Sequence, residues 1–327
     1  MCSRSSLRSA FCTPFPGSAF ISSGPGGNKR SHCNINSRAM VQNREPRVWF
    51  GTRTISPYLS RTVEPSDPHS AEFAVLGVNE IKLEDFPELI GIFRCGVGTD
   101  NIPFEKCAER GVRVGLPGDE SRNQIFHETA AFASYSVLRA LYNNRWSLEA
   151  WSREDRRAVS ASEVLVLGNG NIGSRVVKFL EPFVQISIWD PATAKEEDLL
   201  PQIRNADVVS LHFPLASETA GWFDREKISN MKDGAVLINT ARGALCDEDA
   251  LLAELSRQRL TYIADVFSQE PYTGPLLDFE GSGLIATPHV ASHSKELAES
   301  LAKDFELFVD TFELSINARL SSGRKSI

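Results

Sequence analysis

From Arg47 onward, short apolar runs alternate with stretches whose apolar residues recur at helical spacing, the pattern of layered α/β folding. Four candidate strands come first: RVWF at 47–50, FAVLG at 73–77, LIGIFR at 89–94 and VRVGL at 112–116. A long helix is predicted over about 121–142. Six more candidate strands follow it: EVLVLG at 163–168, QISIWD at 185–190, DVVSLHF at 207–213, GAVLIN at 234–239, TYIADV at 261–266 and GLIAT at 283–287. A last helix, from about 295 to 314, repeats apolar residues at Leu297, Leu301, Phe305, Phe308 and Phe312, which gives it one packed face. The first helix reads as a crossover between two domains and the second as the return. The first domain is therefore expected to be discontinuous, formed by 45–121 with 292–327 around a domain at 122–291.

Five of the six strands in the second series run directly into a polar or glycine cluster: GNGNIGS, DPATA, NTARG, DVFSQEP and TPHVAS. Ligands of an open parallel sheet sit beyond the carboxyl ends of its strands, so these clusters are expected to share one edge. The first carries Gly168-x-Gly170-x-x-Gly173 between a strand and a helix. That context suits a pyrophosphate, with a tight turn, close backbone approach and helix amides directed at the anion. Asp190 ends the next strand, placed to accept from an adenosine ribose diol, and a carboxylate there repels a 2′-phosphate. NAD is favoured over NADP as the cofactor. His289, in IATPHVA, fits a buried structural histidine when taken alone, but on this edge it becomes a candidate for proton transfer.

Composition changes the picture little: 42% hydrophobic and 24% charged residues are ordinary globular values, and no apolar run is long enough to span a bilayer. Cys2, Cys12, Cys33, Cys95, Cys107 and Cys246 form neither CxxC pairs nor a disulfide framework, and no metal site is expected. Charge is more informative. Residues 1–44 hold six basic and no acidic side chains, so the net −7 of the chain leaves 29 basic against 42 acidic residues, or −13, in the remainder. A body this acidic argues against nucleic acid and anionic membrane surfaces as partners.

The first 44 residues are rich in Ser and Arg and lack the apolar core of a secretory signal. They read as an organellar transit peptide, with a plastid ahead of a mitochondrion. A disordered basic tail, or translation starting at Met40 with a cytoplasmic product, is the alternative.

Taken in order, the glycine turn, ADVVSLHFPLASETAGWF, LINTARGALCDEDAL, ADVFSQEP and IATPHVAS resemble the D-isomer-specific 2-hydroxyacid dehydrogenases over about 47–315. The resemblance implies a doubly wound parallel sheet (a Rossmann NAD domain) with a second, discontinuous, flavodoxin-like substrate domain. It also implies hydride transfer between nicotinamide and a small D-2-hydroxy acid, with 3-phosphoglycerate and glycerate/hydroxypyruvate as the leading substrates. By this resemblance Arg242 holds and polarises the substrate, and Glu270 pairs with His289, the acid/base. A carboxylate beside an imidazole fixes the ring and favours its protonated form. Val97 and Gly98 would hold the substrate carboxylate through backbone amides, with Arg94 near the substrate's far end. Gly168, Gly170, Asn171, Ile172, Gly173, Asp190, Thr240 and Asp265 are the expected cofactor residues, although an Asp at position 265 could equally cap a turn.

Two departures from the family pattern stand out. The arm before the glycine turn is short, and only about fifteen residues separate Asp190 from ADVV, so one strand near the adenine is expected to be missing. A homodimer is still expected, and feedback control through a trailing regulatory domain is not. The competing function is an NAD(H)-sensing, corepressor-like binding protein of the same fold.

Overall fold

The computed structural model describes residues 45–142, 146–147, 151–153 and 155–323; the basic leader and much of the short arm lie outside them. The described residues divide into two compact units, one of 123–293 and one of 45–122 with 294–323. The helices in chain order are α1 (Phe104–Arg110), α2 (Asp119–Leu141), α3 (Gly173–Leu180), α4 (Leu199–Asn205), α5 (Arg225–Ser229), α6 (Glu248–Ser256) and α7 (Lys295–Gly323).

The discontinuous unit contains five parallel strands, β1 (Arg47–Phe50), β2 (Glu64–Pro65), β3 (Phe73–Leu76), β4 (Gly91–Arg94) and β5 (Arg113–Gly115), in the order β2-β1-β3-β4-β5. This is the flavodoxin-like order. Strand β2 has two exposed residues and no apolar run to announce it. Helix α7 covers one face of the sheet. The edge of the Phe73 ring meets Phe305, Phe308 and Phe312 at centroid distances of 6.5, 6.3 and 5.1 Å. Phe308 fits because β5 ends on glycine: a Cβ at Gly115 would lie 2.6 Å from its ring. Each such buried ring contributes about 1.5–3 kcal/mol, so this aromatic stack dominates the packing of the helix. Carboxylates complete the attachment. Asp304 accepts from the Gly118 amide and Ser121 Oγ, while Glu306 accepts from the Ser60 and Arg61 amides and Ser60 Oγ.

The chain enters the second unit within α2. Trp146–Ser147 (β6) and Ser152–Arg153 (β7) pair as a short antiparallel ladder in the arm. Six parallel strands follow, β8 (Glu163–Leu167), β9 (Gln185–Trp189), β10 (Val208–Leu211), β11 (Val236–Asn239), β12 (Thr261–Ala264) and β13 (Leu284–Ala286), in the order β13-β12-β11-β10-β8-β9. Their residues alternate between two cores. Leu165, Leu167, Val209, Leu211, Leu237 and Ala264 face the layer containing α4, α5 and α6, whereas Val164, Val166, Val208, Val236 and Ile238 face α2 and α3. Burial on both faces is what a parallel sheet requires of its strands. Strand β9 is the sheet edge, and the short connection to β10 holds only a 3-10 turn at Glu196–Asp198 and α4. The missing strand expected from the sequence is accordingly absent among the described residues. Strands β8 and β10 are neighbours although β9 lies between them in sequence, so the carboxyl ends of β8 and β10 form the topological switch point.

Candidate active site

The glycine turn leaves β8 at that switch point. Gly168 has φ +96° and donates its amide to Trp189 O at 2.9 Å. Gly173 opens α3 so close to the turn that a Cβ there would sit 1.9 Å from Gly168 O, which only glycine avoids. Around Gly170 a Cβ would meet nothing within 4 Å, and Asn169, Gly170 and Asn171 are exposed. Ile172 is the residue preceding α3. A tight glycine turn with open space above its exposed backbone, set at a helix N-terminus, matches the shape and charge of a dinucleotide pyrophosphate.

Asp190 follows β9 and accepts from Asn169 N (2.8 Å) and Ala192 N (2.9 Å). Each carboxylate oxygen has more than one lone pair, so these two bonds leave acceptor capacity for a ribose diol. Thr240 is buried after β11, and its Oγ1 has no hydrogen-bond partner among the described residues. A buried hydroxyl without a partner is costly, and a cofactor's polar edge would satisfy it. The residues present therefore fit NAD.

Three loops of the same unit gather the candidate chemistry. After β11, the Asn239 side chain moulds a tight turn, accepting from Ala241 N (3.0 Å) and donating to Arg242 O (2.8 Å). Arg242 heads the 3-10 turn Gly243–Leu245 and donates from Nη1 to Ala241 O. Gly243 then passes tightly against the loop after β12, where a Cβ would lie 2.0 Å from the Phe267 carbonyl carbon. That loop carries Glu270. Its Oε1 accepts from Phe267 N at 3.0 Å, and its Oε2 lies 2.8 Å from His289 Nδ1.

Burial pushes the Glu270 carboxyl up. The hydrogen bond and charge of His289, the Phe267 amide and the charge of Arg242 outweigh it and hold the carboxyl below its ordinary value. An ionised carboxylate only accepts, so Nδ1 of His289 carries the shared proton and Nε2 is the ring atom left to exchange one.

His289 itself has φ +53°, a left-handed conformation uncommon outside glycine. Asp265 explains how it is held. Asp265 O accepts from the His289 amide at 2.8 Å, Oδ1 accepts from Thr287 Oγ1 (2.6 Å) and Val290 N (2.8 Å), and Oδ2 accepts from Ala291 N (2.9 Å). The Asp265 side chain, 1% exposed, is thus the anchor of the histidine loop, the turn-capping alternative left open by the sequence. His212, the other histidine at the carboxyl ends of these strands, sits 2.9 Å from Ser210 Oγ through Nε2. Burial lowers its pKa to about 4, so it is neutral and unsuited to donate a proton near pH 7.

The structure brings Arg242, Glu270, His289, Asp265 and Thr240 to adjoining strand ends, with the glycine turn and Asp190 on the same edge of the sheet. Arg94, Val97 and Gly98 belong to the other unit, where Arg94 ends β4 and the other two follow it. Arg94 is buried and donates from Nε to Gly98 O at 2.9 Å, and Gly96 leaves room for its guanidinium. It shapes the loop that presents the Val97 and Gly98 amides. Asn239 and Gly243 were not singled out by sequence reasoning. Both lie in the NTARG segment, whose signal was assigned entirely to Thr240 and Arg242. Among the described residues no group of His, Cys, Asp or Glu could hold a metal, and no helix is long and apolar enough to cross a membrane.

A pyrophosphate-shaped turn in the same unit as an imidazole–carboxylate pair and an arginine is the equipment that a nucleotide-dependent dehydrogenase requires. Known proteins specify the kind. The D-isomer specific 2-hydroxyacid dehydrogenase NAD binding domain matches residues 134–291. The hydroxypyruvate reductase of Thermotoga maritima is 33% identical over 224 residues, covering 63% of this chain and 71% of that one. A D-3-phosphoglycerate dehydrogenase of Methanocaldococcus jannaschii is 32% identical over 231 residues, covering 65% of this chain but 44% of the longer relative. The D-lactate dehydrogenase of Aquifex aeolicus, solved with NAD and lactic acid, shares the fold with a TM-score of 0.65 at 22% identity, covering 84% of this chain and 98% of that one. The chain belongs to the D-isomer specific 2-hydroxyacid dehydrogenases, NAD-dependent oxidoreductases.

Proposed function

We propose that this dehydrogenase interconverts a small D-2-hydroxy acid and its 2-oxo acid through Arg242, Glu270 and His289, with glycerate/hydroxypyruvate or 3-phosphoglycerate/3-phosphohydroxypyruvate as the substrate pair. The observation that carries the reading is the 2.8 Å pairing of His289 Nδ1 with a carboxylate held ionised. NAD, when bound, supplies the hydride donor or acceptor at its nicotinamide ring. Arg242 offers a planar, permanently charged fork to the carboxylate and carbonyl oxygens of a 2-oxo acid. His289 gives a proton from Nε2 to the carbonyl oxygen during reduction and takes it back during oxidation, while Glu270 stabilises the doubly protonated ring. The family resemblance extends the proposal to a homodimer, and the basic, Ser-rich composition of residues 1–44 extends it to a plastid address.

The test is NADH oxidation followed at 340 nm by protein beginning at Met40, with hydroxypyruvate, phosphohydroxypyruvate, glyoxylate and pyruvate offered in parallel. Preference for one of the first two supports the proposal and selects the substrate. NADH binding without turnover of any of the four would replace it with an NAD(H)-sensing role.

A further inference from the structure

The acid/base pair depends on a loop, 266–273, with no backbone-to-backbone hydrogen bonds of its own among the described residues, and Glu270 sits in the middle of this stretch. What holds the loop comes from the segment after Arg242. Gly243 lies against the backbone of Phe267 and Ser268. Five residues further on, Glu248 opens α6 behind its cap, Asp247, whose side chain accepts from Ala250 N. Both oxygens of Glu248 are engaged by the loop: Oε1 accepts from Tyr272 Oη at 2.7 Å and Oε2 from Ser268 Oγ at 3.1 Å. Glu248 therefore grips the chain two residues before and two residues after Glu270. Tyr272 passes the constraint on, because its Oη accepts from Leu276 N at 3.2 Å and its ring stacks on Phe267 at 4.5 Å, 22° from parallel. Phe267 in turn donates its amide to Glu270.

We infer that Glu248 is a positioning residue for the Glu270–His289 pair, clamping the loop so that the Glu270 carboxylate meets Nδ1. The clamp and Arg242 share the segment 242–248, so the residue that orients the substrate and the residue that orients the proton relay are fixed on one scaffold. Glu248 itself is not a catalytic residue. Of the charged and titratable groups around this machinery, Arg242 and His289 lie beside Glu270, Asp265 holds the His289 backbone, and Tyr272 and Tyr262, the latter with Cys246, lie beside Glu248. The inference rests on the reading of Glu270–His289 as the acid/base pair.

The experiment compares Glu248→Ala, Glu248→Gln and Tyr272→Phe in the otherwise intact chain. It measures kcat/KM, NADH affinity by fluorescence titration, and the ¹⁵N–¹H NMR signal of the His289 Nδ1 proton, identified by its loss in His289→Ala. Misplacing a reacting group slightly costs about ten- to a hundredfold, and Glu248→Ala should lose kcat/KM on that scale with NADH affinity unchanged. Its Nδ1 proton signal should broaden or vanish. Glu248→Gln, which can still accept from Tyr272, should recover most of both. Tyr272→Phe keeps the ring stack and removes one bond, so it should fall between Gln and Ala, and it decides the matter if Glu248→Ala does not fold. An unchanged Nδ1 signal and kcat/KM in the folded variants, with only a lower Tm, would overturn the clamp. Normal turnover by His289→Ala would instead overturn the acid/base reading beneath it.

Discussion

Two stretches of the carboxyl edge of the six-stranded sheet, the nucleotide edge and the acid/base edge, are built by opposite means. The turn at Gly168–Gly173 is made by backbone, its shape set by a positive φ at Gly168 and by the missing Cβ at Gly173, with its first amides held by Trp189 O and Asp190. The loops carrying Arg242, Glu270 and His289 are made by side chains: Asn239 folds one, Asp265 anchors another, and Glu248 with Tyr272 clamps the third. A backbone-built site should fail abruptly through sterics. A side-chain-built site should lose function in steps, one hydrogen bond at a time.

The largest expected effect falls on the acid/base edge. His289→Ala should reduce kcat by about 10²- to 10⁴-fold, the usual worth of general acid–base catalysis, while NADH titration stays close to wild type. Near-normal kcat would remove His289 from the chemistry.

On the nucleotide edge, Gly173→Ala must displace either α3 or the Gly168 carbonyl. It should weaken NADH binding by about a hundredfold or more, since one displaced phosphate contact in a preorganised turn forfeits several hydrogen bonds at once. A fluorescence titration matching wild type would mean that the turn is soft, and the contrast drawn above would collapse.

Asp190→Ala is milder because it removes hydrogen bonds without a clash. NADH affinity should fall by about tenfold, with less discrimination against NADPH, as expected for charged-group bonds worth about 1.5–3 kcal/mol. Unchanged cofactor preference would confine Asp190 to its bonds with Asn169 and Ala192.

Glu306 gives the smallest effect and serves as a control, because it uses the same device as Asp265 away from this chemistry. Burial pushes its carboxyl up, but the Arg61 amide and the Ser60 hydroxyl and amide prevail and hold it below the ordinary value. A carboxyl whose pKa is lower in the folded than in the unfolded state stabilises the fold above the unfolded value. That contribution is lost as pH falls through the folded one. Glu306→Gln should cost about 1 kcal/mol in denaturant unfolding near neutral pH, less than the ~1.5–3 kcal/mol of a buried bond to a charged group because solvent screens this site. The difference from wild type should shrink in acid while kcat per folded molecule stays constant. A pH-independent difference would show that the carboxylate charge is irrelevant there.

How much could be read in advance follows the same division. The strands with apolar runs, the glycine turn and the motifs ending in Asp190, Arg242, Glu270 and His289 are legible because each is a local arrangement, with its signal contained in consecutive residues. Strand β2 is two exposed residues long and leaves no hydrophobic trace. Arg94 carried a sequence signal but no direction; only the fold shows its guanidinium turned into its own loop toward Gly98 O.

The sequence by itself determined the alternation of strands and helices and the identity of the chemical groups, because these depend on neighbours within a few residues. The tertiary structure alone decided what holds those groups in place. Glu248 reaches Ser268 and Tyr272, Asp265 reaches Thr287, Val290 and Ala291, and Gly243 rests on Phe267, all across 20 or more residues of chain. Such contacts have no local signature; they exist because parallel strands return their carboxyl ends to one edge, where loops distant in sequence become neighbours.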